Sequence, residues 1–195
     1  TGGTIGNAYG GGLGRFAVAA VGSPGDPGYV ASVEAVEAMV YGDVTVTVDG
    51  TKFTKETERV DGKAIPTTGR VFGCNNKNGT PKGSVLVWVK QTKRLDGADG
   101  HVKNQFEIQG VYGGGNMANY VPNTDSYDVQ TEFGRKTQVL IQDCGTTSLE
   151  RVYGGGNASN VPFTDVTIDG CFQIGYVFGG GNGGDKINKE TGAGW

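Results

Sequence analysis

The chain has 195 residues, 37 of them glycine, and a formal charge of −3; glycine runs at more than twice its usual share of roughly 7%. There is no Gly-X-Y period, which excludes collagen, and the mild charge without a Lys/Arg cluster among stacking aromatics speaks against a nucleic-acid partner. No apolar run approaches the length of a membrane span, so no membrane insertion is expected within these residues, and alternating β-branched stretches argue for a folded core.

In chain order, the first signal is Ala8-Tyr9-Gly10-Gly11-Gly12-Leu13. A Gly- and Pro-containing stretch, Gly14–Ala38, follows and reads as an insertion. Within and beyond it, Ala31–Val40 has two readings. Val33, Val36 and Val40 have helical spacing, but the end in Val40-Tyr41-Gly42 favours a strand entering a corner. Val44-Thr45-Val46-Thr47-Val48 alternates as a half-buried strand does. A second polar insertion, Thr51–Thr68, leads to Val71-Phe72-Gly73-Cys74-Asn75-Asn76. Val85–Val89 is a more hydrophobic strand, and Gln91–Lys103 a third insertion. Phe106–Gly110 is a brief strand running into Val111-Tyr112-Gly113-Gly114-Gly115-Asn116.

The second half repeats this grammar more cleanly. Thr137–Cys144 lies over Thr164–Cys171, with Val139/Ile141 matching Val166/Ile168. Each leads into a Val-Tyr/Phe-Gly-Gly-Gly-Asn phrase, at Val152–Asn157 and Val177–Asn182. A further shared phrase follows the corner, Asn119-Tyr120-Val121-Pro122 and Asn160-Val161-Pro162, with Thr124-Asp125 and Thr164-Asp165 after it.

A returning unit of this size signals a repeat architecture. One coil reads as a strand, a turn, a second short strand carrying Val-Tyr/Phe, and a glycine corner. Stacking coils at roughly 4.8 Å turns equivalent residues into ladders. Tyr9, Tyr41, Phe72, Tyr112, Tyr153 and Phe178 are expected to form an aromatic row, and Asn76, Asn116, Asn157 and Asn182 an amide row. The glycines are expected to supply positive φ and to leave room where the backbone turns. The fold class is therefore all-β, a right-handed parallel β-helix (β-solenoid) with irregular inserted loops, in one domain over 1–195. The hand follows the general rule for parallel crossovers. The competing account is a β-sandwich with glycine-rich hairpins, and hairpin turns rarely repeat a six-residue phrase. The chain starts at Thr1 just before one phrase and stops soon after another, and so reads as a fragment of a longer repetitive protein.

The phrases Val-Tyr-Gly-Gly-Gly-Asn, Thr4–Gly12 and Asp165–Gly170 resemble the glycine-rich repeats of very large surface proteins of Gram-negative gut bacteria. The resemblance covers about two thirds of the chain, leaving out the insertions. It implies parallel β-helices similar in plan to adhesin stalks, and an extracellular or cell-surface location. Leu13 in place of asparagine and Cys74-Asn75 in place of glycines depart from the pattern. The expected function is a structural or adhesive stalk, with other copies of the protein or host surfaces and glycans as partners. A carbohydrate-binding or carbohydrate-processing β-helix, with Trp88 lining a groove, is the alternative. Exposed strand edges at the ends make end-to-end assembly into a homo-oligomer or filament a third expectation.

Chemistry is thinly represented, and neither catalytic residues nor a cofactor are expected. His101, the single histidine, stands in a polar insertion with no G-x-S-x-G nucleophile to serve. Sugar cleavage needs paired carboxylates across a cleft, and Asp143/Asp169 and Asp125/Asp165 align between repeats, but Asp beside Gly is ordinary turn chemistry. Gly180–Ile187 fits one turn of a calcium β-roll with Asp185 as ligand, whereas such sites need consecutive turns. No glycine phrase ends in Gly-Lys-Ser/Thr, so phosphate loops are excluded. The Thr45-Val46-Thr47 pattern is interrupted at Gln138 and Asp165, against an ice-binding face. Cys144 and Cys171 occupy equivalent places, as stacked buried thiols or as a disulfide in a secreted parent, and Cys74 sits in a different row.

Overall fold

The computed structural model describes residues 4–60, 62–92, 103–123, 135–143 and 145–183. It is a parallel β-solenoid. Among the described residues thirteen strands follow in chain order: β1 (Thr4–Ile5), β2 (Asn7–Tyr9), β3 (Val44–Asp49), β4 (Lys52–Phe53), β5 (Thr57–Val60), β6 (Lys63–Pro66), β7 (Arg70–Phe72), β8 (Val85–Gln91), β9 (Gly110–Tyr112), β10 (Thr137–Gln142), β11 (Ser148–Tyr153), β12 (Thr164–Asp169) and β13 (Gln173–Phe178). One sheet has the order β12-β10-β8-β3, the other β13-β11-β9-β7-β2. Every pairing within these two sheets is parallel. The strands of these two sheets alternate along the chain, so each coil adds one strand to each, while β1–β4 and β5–β6 form two further two-stranded sheets.

The register is the one the repeats specify. Val139 faces Val166 and Val87, and Ile141 faces Ile168 and Val89. Val46 and Val48 extend the same rows at β3. In the other sheet Ala8, Val71, Val111, Val152 and Val177 form the matching row. These rows meet as the core, where Val71, Val87, Val89, Val111, Ile141, Leu149 and Val152 are all fully buried. Alternation places Leu86, Trp88, Gln138 and Leu140 on the outer face, as β strands require.

The triplet glycines are selected by close approach, not by dihedral angle. A Cβ on Gly10, Gly73, Gly113 or Gly154 would lie 2.2, 2.3, 2.2 or 2.3 Å from a carbonyl oxygen of the next coil's corner. None of the triplets 10–12, 113–115, 154–156 and 179–181 has positive φ. The expectation of left-handed corner glycines is thereby corrected. Positive φ is found instead at turns outside them, such as Gly50, Gly69 and Gly170.

The first two insertions leave the stack as hairpins. Residues 15–36 form an antiparallel arm, with Arg15, Val18 and Val21 bridged to Val36, Val33 and Val30. Its tip is a turn in which Asp26 N–H donates to Ser23 O at 3.0 Å and Ser23 N–H to the Asp26 carboxylate at 3.2 Å. Ala31–Val40 is therefore neither a helix nor a strand entering a corner. Pro24, Gly25, Pro27 and Gly28 fold the two Val/Ala-rich halves together, and cross-strand pairing claims Val33 and Val36. Val40 lies instead beside Pro81 in a short parallel run that follows the first two corners. Tyr41 is consequently 81% exposed and outside the aromatic row. The second insertion holds the antiparallel hairpin β5–β6; residues 93–102 of the third lie outside the described residues.

Gly113→Ala should lower unfolding free energy by about 3 kcal/mol, the upper end for overpacking, because the obstructing atom is backbone and cannot turn aside. Urea denaturation monitored by circular dichroism measures it.

Candidate functional site

Beside the glycine corners an aromatic ladder runs through all five described coils and an amide ladder through the last four. Tyr9, Phe72, Tyr112, Tyr153 and Phe178 stack with ring centroids 4.9, 4.7, 4.9 and 5.0 Å apart and planes within 13° of parallel. The spacing is that of the backbone, so the rings touch without displacing the strands. Such pairs contribute about 0.5–1.5 kcal/mol each beyond area burial. Burial pushes the Tyr9 phenol above its ordinary value, partly offset by the Arg70 guanidinium.

The amide ladder is directional. Asn116 Nδ2 donates to Asn76 Oδ1 at 2.9 Å, Asn157 to Asn116 at 2.9 Å, and Asn182 to Asn157 at 2.8 Å. The corner backbone has its own polarity. The first glycine N–H of a coil donates to the aromatic residue's carbonyl in the next: Gly10 to Phe72, Gly73 to Tyr112, Gly113 to Tyr153 and Gly154 to Phe178, all at 2.9 Å. The asparagine N–H points the other way, Asn116 to Asn75 O and Asn157 to Gly115 O. Each coil is thus held from both sides at its corner. Thr137 and Thr164, at the start of their strands, add Oγ1–H donation to Gly154 O at 2.7 Å and Gly179 O at 2.6 Å, which the periodicity alone did not single out.

The departures from the phrase are accommodated locally. Cys74 fills the second-glycine row, fully buried, and lack of solvation raises its thiol far above the usual range. Asn75 fills the third-glycine row, and its Nδ2 donates to Ala38 O and Asn78 O. The bond to Ala38 ties the corner to the base of the arm, and the bond to Asn78 closes the turn that follows it. Cys171 is half-buried against the core, and Cys144 lies outside the described residues.

On the outer face of the β3/β8/β10/β12 sheet, Trp88 points away from Val87 and Val89 and is half-buried. Its Nε1–H donates to Gln142 Oε1 at 2.6 Å, and Lys90 Nζ sits 4.2 Å from the ring centroid. The ring is therefore partly covered by its own strand.

The carboxylates have structural partners. Asp165 accepts from Lys136 Nζ at 2.8 Å, which lowers its pKa, the reverse of what a proton donor needs. Asp169 accepts from Gln142 at 3.2 Å. Asp143, at φ 75°, accepts from Gly145 N–H at 3.1 Å as a turn residue. Asp125, His101 and Asp185, the calcium candidate, all lie outside the described residues. Among the described residues no group of three or more His, Cys, Asp or Glu side chains is placed to hold a metal. Comparison with known protein families, curated proteins and solved structures gave no match.

Asn116→Ala removes two amide bonds and leaves a donor and an acceptor facing a gap, so stability should fall by about 2 kcal/mol. Chemical denaturation beside an Asn160→Ala control measures it. The buried Cys74 thiol should resist iodoacetamide at pH 8 until the chain unfolds, which peptide mapping by mass spectrometry checks.

Proposed function

We propose that this chain is a stalk segment of a secreted or surface-anchored bacterial repeat protein, with its inserted hairpins available for adhesive contacts. The observation carrying this reading is the continuity of the ladders. The same aromatic, amide and aliphatic positions are used from coil to coil, so the described chain is built around axial regularity instead of converging on one cleft. Rigidity along the axis is what such an arrangement delivers, and a spacer needs little else. The arm at residues 15–36 supplies the kind of exposed apolar surface that adhesion uses, with Phe16, Val18, Val21 and Val30 uncovered.

A spacer tolerates loss of a whole repeat. Joining Val111 directly to Tyr153 removes one coil in register, and the shortened chain should still fold cooperatively, with its long axis reduced by about 4.8 Å in solution scattering. The glycan-binding alternative is tested in the Trp195→Phe background, where Trp88 is the remaining tryptophan. Titration with a panel of polysaccharides should leave Trp88 fluorescence unchanged. Failure of the shortened chain to fold, or a saturable fluorescence response, contradicts the stalk reading.

A further inference from the structure

Inside the stack, a corner glycine is explained by the coil that follows it. At Gly10, Gly73, Gly113 and Gly154 a Cβ would meet the next corner's carbonyl at 2.2–2.3 Å. At Gly179 and Gly180 a Cβ would meet nothing within 4 Å among the described residues. Neither glycine has positive φ, so nothing in the described coils requires these two positions to be bare. The strand leading to them is also uncovered. Tyr176, Val177 and Phe178 are 61%, 47% and 45% exposed, whereas Val152 and Tyr153, one coil below, are 0% and 5% exposed.

The opposite end of the same sheet has the complementary surface. Gly10 N–H and Gly11 N–H are directed inward, to Phe72 O and Cys74 O. Tyr9 O and Gly11 O occupy the places that accept from a preceding coil at every later corner: Phe72 and Cys74, Tyr112 and Gly114, Tyr153 and Gly155, Phe178 and Gly180. One end therefore offers the donor pattern of Gly179 and Gly180, and the other the acceptor pattern of Tyr9 and Gly11. Ile5, 39% exposed and paired with Phe53 at one end, and Ile174, paired with Leu149 at the other, each stand three residues before the aliphatic row at Ala8 and Val177.

We infer that the β13 edge and the Gly179-Gly180-Gly181 corner dock the β1–β2 edge of a second copy, head to tail, continuing the stack in register. Gly179 N–H then donates to the second copy's Tyr9 O, Gly180 N–H to its Gly11 O, and its Leu13 N–H donates to Gly181 O. The Tyr9 ring of the second copy lies on Phe178 and extends the aromatic ladder. The contact is heterologous, so it leaves the same two surfaces free at the ends and grows as an open filament. This inference rests on the rod reading above, and its failure alone leaves that reading standing, because coil deletion and Trp88 titration do not depend on association.

The test is Gly179→Ala in the full chain, with Gly113→Ala as the matched substitution inside the stack. Wild-type weight-average mass, by light scattering, should rise with concentration past the dimer. Gly179→Ala should stay monomeric while melting, at dilution, within about 2 °C of the wild type, whereas Gly113→Ala melts well below it. Because Gly179→Ala keeps an intact β2 edge, adding it substoichiometrically should shorten wild-type assemblies as a chain stopper. The inference is overturned by a wild type monomeric at all concentrations, or by a plateau at dimer, which indicates a two-fold contact. It is overturned equally by Gly179→Ala assembling like wild type, or by a melting loss matching Gly113→Ala, which places another segment of the same chain on this face.

Discussion

The spacing between coils, about 4.8 Å in any parallel sheet, sets the terms for everything else at the corner. Where the chain turns between the sheets, each coil's backbone lies against the next with no side chain between them. A Cβ at the first glycine would be 2.2–2.3 Å from an oxygen, well inside contact distance. The same approach brings N–H and carbonyl groups within bonding range, at 2.9 Å in all four corners. Glycine here is the condition for an axial hydrogen bond, and the entropic cost of so much glycine is offset by bonds that exist only when a neighbour is present.

The side-chain ladders follow from that constraint. Once the corners fix axial spacing, identical residues sit one above another at stacking distance. Flat rings satisfy it face to face, and primary amides satisfy it by donating to the amide beside them. Aliphatic residues satisfy it by interdigitating in the core. No coil can make these contacts alone, which is the energetic situation of repeat proteins generally: stability is a sum of modest coil terms and larger interfaces between neighbours. Ile168, Val177 and Phe178, on the edge strands β12 and β13, have no further coil beside them among the described residues and are correspondingly exposed.

Much of this was legible in the residues because repetition writes the register directly. Thr137–Gln142 over Thr164–Asp169 could be aligned by eye and is the observed pairing. The amide row was also legible in full, since four asparagines end equivalent phrases. Tyr41 was misplaced because Val-Tyr-Gly is too short a match to separate a corner strand from the run that follows a corner; only the pairing of Val40 with Pro81 does so. The arm was recognisable as an insertion but not as a hairpin, because three-residue spacing of valines fits a helix as well as bridges at every third residue. The source of the glycine requirement was half legible. Sequence marks where glycine recurs, but whether dihedral angle or close approach selects it depends on the neighbouring coil. Function is the least legible level, because a ladder used along the whole stack distinguishes no single place as a site.

The central claim is that the corners bind neighbouring coils into one cooperative unit through axial hydrogen bonds. Residue-resolved amide hydrogen exchange by NMR tests it most directly. The account predicts that Gly73, Gly113 and Gly154 N–H are protected to the same level as Val87 and Val139 within the sheet, and open with them in a single event. Corner amides exchanging as fast as those of Gly25 and Gly28 at the arm tip, while the sheet remains protected, would contradict it.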